Sequence, residues 1–123
     1  MRVMIVDDSR AMRMVVRRSL RLAGIPTTRV VEAGSVAEAL RLLRRTPVDL
    51  VLCDWNMPGA NGLRLLEALQ QEPCWASVSS VLVSAEQDPR LVDDARRRGV
   101  GSFLAKPFTP AELRHALQLA KVA

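Results

Sequence analysis

Short runs of β-branched and apolar residues alternate with longer amphipathic stretches along the whole chain, and no other feature limits its fold as strongly. Val3-Met4-Ile5-Val6, Arg29-Val30-Val31-Glu32, Val48-Asp49-Leu50-Val51-Leu52-Cys53, Val78 to Val83 and Phe103-Leu104-Ala105 read as five strands. Each is followed by a helical pattern. The first has Ser9 as N-cap, Met12, Val16, Leu20 and Ala23 on its apolar face, and a stop at Gly24; Arg10, Arg13, Arg17, Arg18 and Arg21 occupy the opposite face. The second opens at Ser35, with Glu38 placed for a capping box, and runs to Arg44-Arg45 before Pro47. The third follows an Asn61-Gly62 turn and buries Leu63, Leu66 and Leu69. The fourth opens at Asp88-Pro89 and closes at Gly99, and the fifth opens at Thr109-Pro110 with Leu113, Ala116, Leu117 and Ala120 on one face. Five strands alternating with five helices predict an α/β domain, a doubly wound parallel sheet, rather than an α+β or all-β domain.

The 123 residues suit one domain, residues 1–123. With 49% hydrophobic and 25% charged residues the chain is neither disordered nor low-complexity, and it can bury a sizeable core. Eighteen basic against thirteen acidic residues, a net charge of 18 − 13 = +5, raise nucleic acid or an acidic partner as the first suspects. No apolar stretch approaches the roughly 18–20 residues that span a bilayer, and the N-terminus lacks a signal-peptide core, so a cytoplasmic protein without membrane insertion is expected. Cys53 and Cys74 match no zinc or redox spacing and are expected to be free thiols.

In sheets of this kind, sites form at the carboxyl ends of the strands. Asp7 and Asp8 end the first strand here and Asp54 the third, while Ser84 ends the fourth and Lys106 the fifth. Three carboxylates in one crevice repel unless a cation joins them or one is protonated. All-oxygen donors with no His or Cys nearby favour Mg²⁺ over zinc. Each residue also has a plainer reading by itself: Asp8-Ser9 as helix capping, Asp54 as a turn residue before Asn56 and Pro58, Lys106 as a solvated lysine. Those readings do not predict the joint occurrence at four strand ends.

On these residues the chain resembles the receiver domains of two-component signalling, most of all the single-domain chemotaxis response regulators. The resemblance spans essentially the whole chain. It rests on Val6-Asp7-Asp8-Ser9-Arg10-Ala11-Met12-Arg13, Cys53-Asp54-Trp55-Asn56-Met57-Pro58, Val83-Ser84-Ala85-Glu86 and Ala105-Lys106-Pro107-Phe108. It implies a flavodoxin-like fold with strand order 2-1-3-4-5 and Asp54 as acceptor of a phosphoryl group from a sensor histidine kinase or histidine phosphotransfer protein. Mg²⁺ would be bound by Asp8, Asp54 and the backbone carbonyl of Asn56, with Asp7 acting through water, and Ser84 and Lys106 would bind the phosphoryl oxygens. Such a protein is no enzyme beyond its own phosphorylation and dephosphorylation. The resemblance further implies a switch in which Ser84 moves and Phe103, here in place of tyrosine, rotates inward. Asn56 and Glu86 would tune acyl-phosphate hydrolysis, and the Lys106-Pro107 bond would be cis. Asn61 replaces a frequent aspartate and suits the turn equally well.

A flavin carrier of the same topology would find its phosphate repelled by Asp7-Asp8. A Mg²⁺-dependent phosphatase with an aspartyl nucleophile usually has an acid two residues on, where this chain has Asn56. Within signalling, the alternatives are a stand-alone regulator and a receiver from a larger DNA-binding regulator; a start at Met1 and an end at Lys121-Val122-Ala123 favour the former. The first-helix arginines and Arg96-Arg97-Arg98 fall where the resemblance places kinase docking and output. The expected partners are therefore proteins, with no direct nucleic acid, and the chain is expected to be a monomer or a weak phosphorylation-dependent dimer.

Overall fold

The computed structural model describes residues 1–57, 62–85 and 89–120. Its elements run β1 (Arg2–Val6), α1 (Arg10–Leu22), β2 (Arg29–Ala33), α2 (Val36–Leu43), β3 (Leu50–Asp54), α3 (Gly62–Gln71), a 3-10 turn (Pro73–Trp75), β4 (Ser79–Ser84), α4 (Pro89–Arg97), β5 (Ser102–Ala105) and α5 (Pro110–Leu119). The five strands are parallel and ordered β2-β1-β3-β4-β5, as the alternation and the resemblance imply.

Successive strand residues point to opposite faces, and the two cores follow that period. Val3 and Ile5, Leu50 and Leu52, Val81 and Val83, and Leu104 join Val16 and Leu20 of α1 and Leu113, Ala116 and Leu117 of α5. Met4 and Val6, Val51 and Cys53, and Leu82 join α2, α3 and Ala95 of α4 on the other face. Both faces are therefore covered, which is why the strands read as continuous apolar runs. Continuing each strand by parity puts Asp7, Asp54 and Lys106 on the α1–α5 side, and Ser84 on the same side as Phe103.

The helix ends follow local chemistry. Ser9 Oγ accepts the Met12 amide, and Gly24 ends α1 at φ +70°, a left-handed value that a side chain disfavours. Ser35 accepts the Glu38 amide, but a reciprocal capping box is found at Thr109–Glu112 rather than there. The expected Asp88 cap, the Asn61 turn and residues 121–123 lie outside the described residues. Cys53 and Cys74 are free, the first buried and the second exposed. Among the described residues no helix is long and apolar enough to cross a membrane.

On the basic face of α1, Arg13 and Arg17 both reach across to Glu32 of β2, at 2.9 Å each. Arg98 likewise pairs with Glu67 of α3 and with Asp94. The parallel β1–β2 pairing sets Ile5 beside Glu32 and so brings the β2 carboxylate within reach of α1. Part of the basic surplus thus serves internal pairs.

Candidate functional site

The strand order reverses between β1 and β3, and crevices form at such switch points beyond the carboxyl ends of the strands. Asp7 and Asp8 leave β1 there, and Asp54 is the last residue of β3. Their carboxylate oxygens lie within 4.8 Å of one another. Asp7 and Asp54 are buried, while Asp8 is exposed.

Lys106 reaches in from the end of β5, with Nζ 3.0 Å from Asp54 Oδ1 and 3.4 Å from Asp7 Oδ2. Its main-chain N–H donates to the Ser84 carbonyl at 2.9 Å, continuing the β4–β5 ladder to the site. The Lys106-Pro107 peptide is cis, as the resemblance implies. The other Asp7 oxygen accepts the Ser9 amide at 2.9 Å, so Asp7 is held from both sides. Burial, reinforced by the Asp7 charge, raises the Asp54 carboxyl above the ordinary aspartate range despite the hydrogen bonds from Lys106 and the Asn56 amide. Burial pulls the Lys106 ammonium the other way, but its bonds and charges with Asp54 and Asp7 prevail and raise it, so it remains a cation.

Three carboxylates and one ammonium carry −3 + 1 = −2, a charge that one divalent cation would neutralise. The donors fit a hard cation: they are all oxygen, and Asp8 faces solvent, where a cation that keeps several waters can be reached.

The structure brings Asp7, Asp8, Asp54 and Lys106 together. Ser84 is the buried last residue of β4, and Asn56 stands exposed two residues beyond Asp54. Phe103 is partly buried against the α2–α3–α4 core, paired in register with Leu82, two residues before Ser84 on the same face. Glu86 lies outside the described residues.

Two residues escaped the sequence reading. A Cβ on Gly62 would lie 2.4 Å from the Asp54 carbonyl oxygen and 3.0 Å from Cys53 Sγ, so only glycine lets α3 start this close to the site. Arg13 donates from Nη1 to the Asp7 carbonyl at 2.6 Å. Gly62 has a visible signal in its Asn-Gly context, which the sequence alone attributes to the turn. Arg13 closes the motif around the acidic pair, but its helical spacing places it with exposed arginines.

The profile of the response regulator receiver domain matches residues 3–118. The chain is 34% identical over 117 residues to chemotaxis protein CheY-3 of Vibrio cholerae, covering 95% of this chain and 88% of that protein. It is 32% identical over 118 residues to chemotaxis protein CheY of Pseudomonas aeruginosa, covering 96% and 94%. The crystal structure of Vibrio cholerae chemotaxis protein CheY4 superposes with a TM-score of 0.85 at 28% identity, covering 99% of this chain and 98% of that one.

Proposed function

The chain belongs to the response regulator receiver domain family, and from that membership we propose that it carries a two-component signal as a phosphoryl group on Asp54, received from a histidine kinase or histidine phosphotransfer protein. The observation that carries the reading is the contact of the buried Asp54 carboxylate with the Lys106 ammonium, inside a crevice that also holds Asp7 and Asp8.

In the transfer, an Asp54 carboxylate oxygen attacks phosphorus in line, the bond from phosphorus to the donor nitrogen breaks, and its electron pair leaves with the donor imidazole. The protein's task is positioning and charge compensation. Lys106 is held 3.0 Å from the nucleophile, where it can follow the phosphoryl oxygens as Asp54 becomes an acyl phosphate. Ser84 offers a hydroxyl from the next strand. Asp8, Asp54 and the Asn56 carbonyl would hold Mg²⁺, with Asp7 acting through water; bound there, the ion supplies the positive charge that lets a phosphoryl dianion approach three carboxylates.

Readout would run through the other face of the sheet. Ser84 and Phe103 share that side, and Phe103 packs beside Leu82. Movement of Ser84 toward a phosphoryl group would open space that Phe103 can fill, altering the α4–β5–α5 surface for a protein target. Without a phenolic hydroxyl, Phe103 signals by packing alone. Asn56 and Glu86 would set the lifetime of the acyl phosphate. Identity of 32–34% to chemotaxis proteins over nearly the whole chain supports a chemotaxis-like regulator acting on a protein target.

Trp55 adjoins Asp54 and gives the assay. With Trp75 replaced by phenylalanine, Mg²⁺ followed by acetyl phosphate should each alter Trp55 fluorescence. Asp54→Asn should abolish the second change. A phosphodonor response that survives this substitution would overturn the assignment.

A further inference from the structure

Arg13 lies six residues after Asp7, among the arginines of α1, yet its side chain is only 17% exposed. Its guanidinium joins three segments. Nη1 donates to the Asp7 carbonyl at 2.6 Å, and Nε donates to Glu32 Oε1 of β2 at 2.9 Å. On the loop after β2, a Cβ at Gly34 would stand 3.5 Å from Nη1, so the glycine fits against the guanidinium. Arg17 Nη2 holds the second Glu32 oxygen at 2.9 Å, fixing the carboxylate that in turn fixes Arg13.

The Asp7 carbonyl belongs to the peptide that joins Asp7 to Asp8. On the β2 side the ladder reaches as far as the Asp7 amide, which donates to Ala33 at 3.0 Å. The carbonyl after it is taken by Arg13. Among the described residues no hydrogen bond holds the Asp8 carboxylate, so the backbone sets its Cα–Cβ direction while its side-chain torsions stay free. The orientation of the Asp7–Asp8 peptide plane therefore decides which region the Asp8 carboxylate can reach.

We propose that Arg13, braced by Glu32, is a positioning residue for the acidic pair: its bond to the Asp7 carbonyl fixes the Asp7–Asp8 peptide and aims Asp8 at a divalent cation. The inference rests on the metal reading above. It makes a prediction opposite in sign to simple electrostatics. Removing a cation beside an acidic centre should tighten Mg²⁺ binding by Coulomb's law alone. Losing the clamp should weaken it.

The test is a titration with Mg²⁺ alone, followed by Trp55 fluorescence in the Trp75→Phe background. Arg13→Ala should weaken binding roughly tenfold, the lower end of the effect of outer-shell partners on metal affinity. Arg13→Lys keeps the charge but cannot bridge both acceptors, and should lose part of that affinity. Arg17→Ala removes one brace of Glu32 but leaves the Arg13 bond to the Asp7 carbonyl in place, and should weaken Mg²⁺ binding less than Arg13→Ala does. In EDTA, amide exchange at Asp8 and Ser9 should be faster in Arg13→Ala than in Arg17→Ala. Affinity in Arg13→Ala equal to or tighter than in Arg17→Ala overturns the proposal, as does parental affinity in Arg13→Lys should the alanine variant fail to fold. A parent protein that binds no Mg²⁺ overturns the metal reading instead.

Discussion

Replacing Gly62 by alanine sets two effects of known sign against each other. As the first residue of α3, Gly62 is a poor helix former, and helix propensity alone would favour alanine by up to about 1 kcal/mol. The added methyl, however, would stand 2.4 Å from the Asp54 carbonyl oxygen, 3.0 Å from Cys53 Sγ and 3.1 Å from Leu82 Cδ2. The first of these is backbone at the end of a central strand, hydrogen-bonded into β4 through Trp55 and Val83 at 2.9 Å, and cannot rotate away. Relief requires α3 or the end of β3 to shift by most of an ångström. Overpacking of this kind costs about 1–3 kcal/mol, so Gly62→Ala should lose roughly 1–2 kcal/mol net, a fall in Tm of several degrees for a domain of this size. Because the displaced atom belongs to Asp54, phosphorylation by acetyl phosphate should slow as well. Gly34→Ala is the control: its methyl meets only the Arg13 guanidinium at 3.5 Å, ordinary contact, so its stability should change by less than about 0.5 kcal/mol. Urea denaturation of both variants checks the pair. A Gly62→Ala protein as stable as its parent would show that the close approach is not a constraint.

Three further outcomes are expected. Lys106→Met leaves the Asp7 and Asp54 carboxylates without their cation and should cost about 2–3 kcal/mol in EDTA, short of the full penalty for a wholly buried pair because Lys106 keeps 19% exposure; saturating Mg²⁺ should raise its denaturation midpoint more than the parent's, and an equal rise refutes the charge argument. Burial alone would raise the Glu32 carboxyl, but hydrogen bonds from Arg13 and Arg17 outweigh it and hold it below the ordinary glutamate range. Its contribution is therefore present above that range and lost as pH falls through the lowered folded value; the stability gap between parent and Glu32→Gln should shrink on acidification, and a constant gap would exclude the linkage. The Cys53 thiol is pushed up, first by burial and then by the Asp54 and Asp7 charges, so a disulfide reagent should label only Cys74 in the native protein and Cys53 on unfolding; native labelling of Cys53 would show that the β3 end opens.

Most of the fold was legible because it rests on local rules. Apolar runs bounded by caps and glycines mark strands and helices, and Ser9, Ser35, Thr109, Gly24 and Gly99 stand where those rules place them. Strand starts were less legible. Asp54 and Ser84 end β3 and β4 as read, but β3 begins at Leu50 and β4 at Ser79, later than the runs from Val48 and Val78, because parallel pairing of the two strands starts at Leu50 and Ser79.

The sequence by itself determined the alternating α/β architecture and the carboxylates, hydroxyl and lysine at the strand ends, since hydrophobic period and strand-end position are properties of the chain read in order. Which groups touch was decided by the tertiary structure. Asp7, Asp54 and Lys106 converge because three strands distant in sequence lie in one sheet with their ends at one edge. Arg13 changes from a surface charge to a backbone clamp because β2 pairs alongside β1 and brings Glu32 and Gly34 up to it. Helical period says which residues share a face, but a partner carboxylate from another strand is supplied only by the assembled sheet.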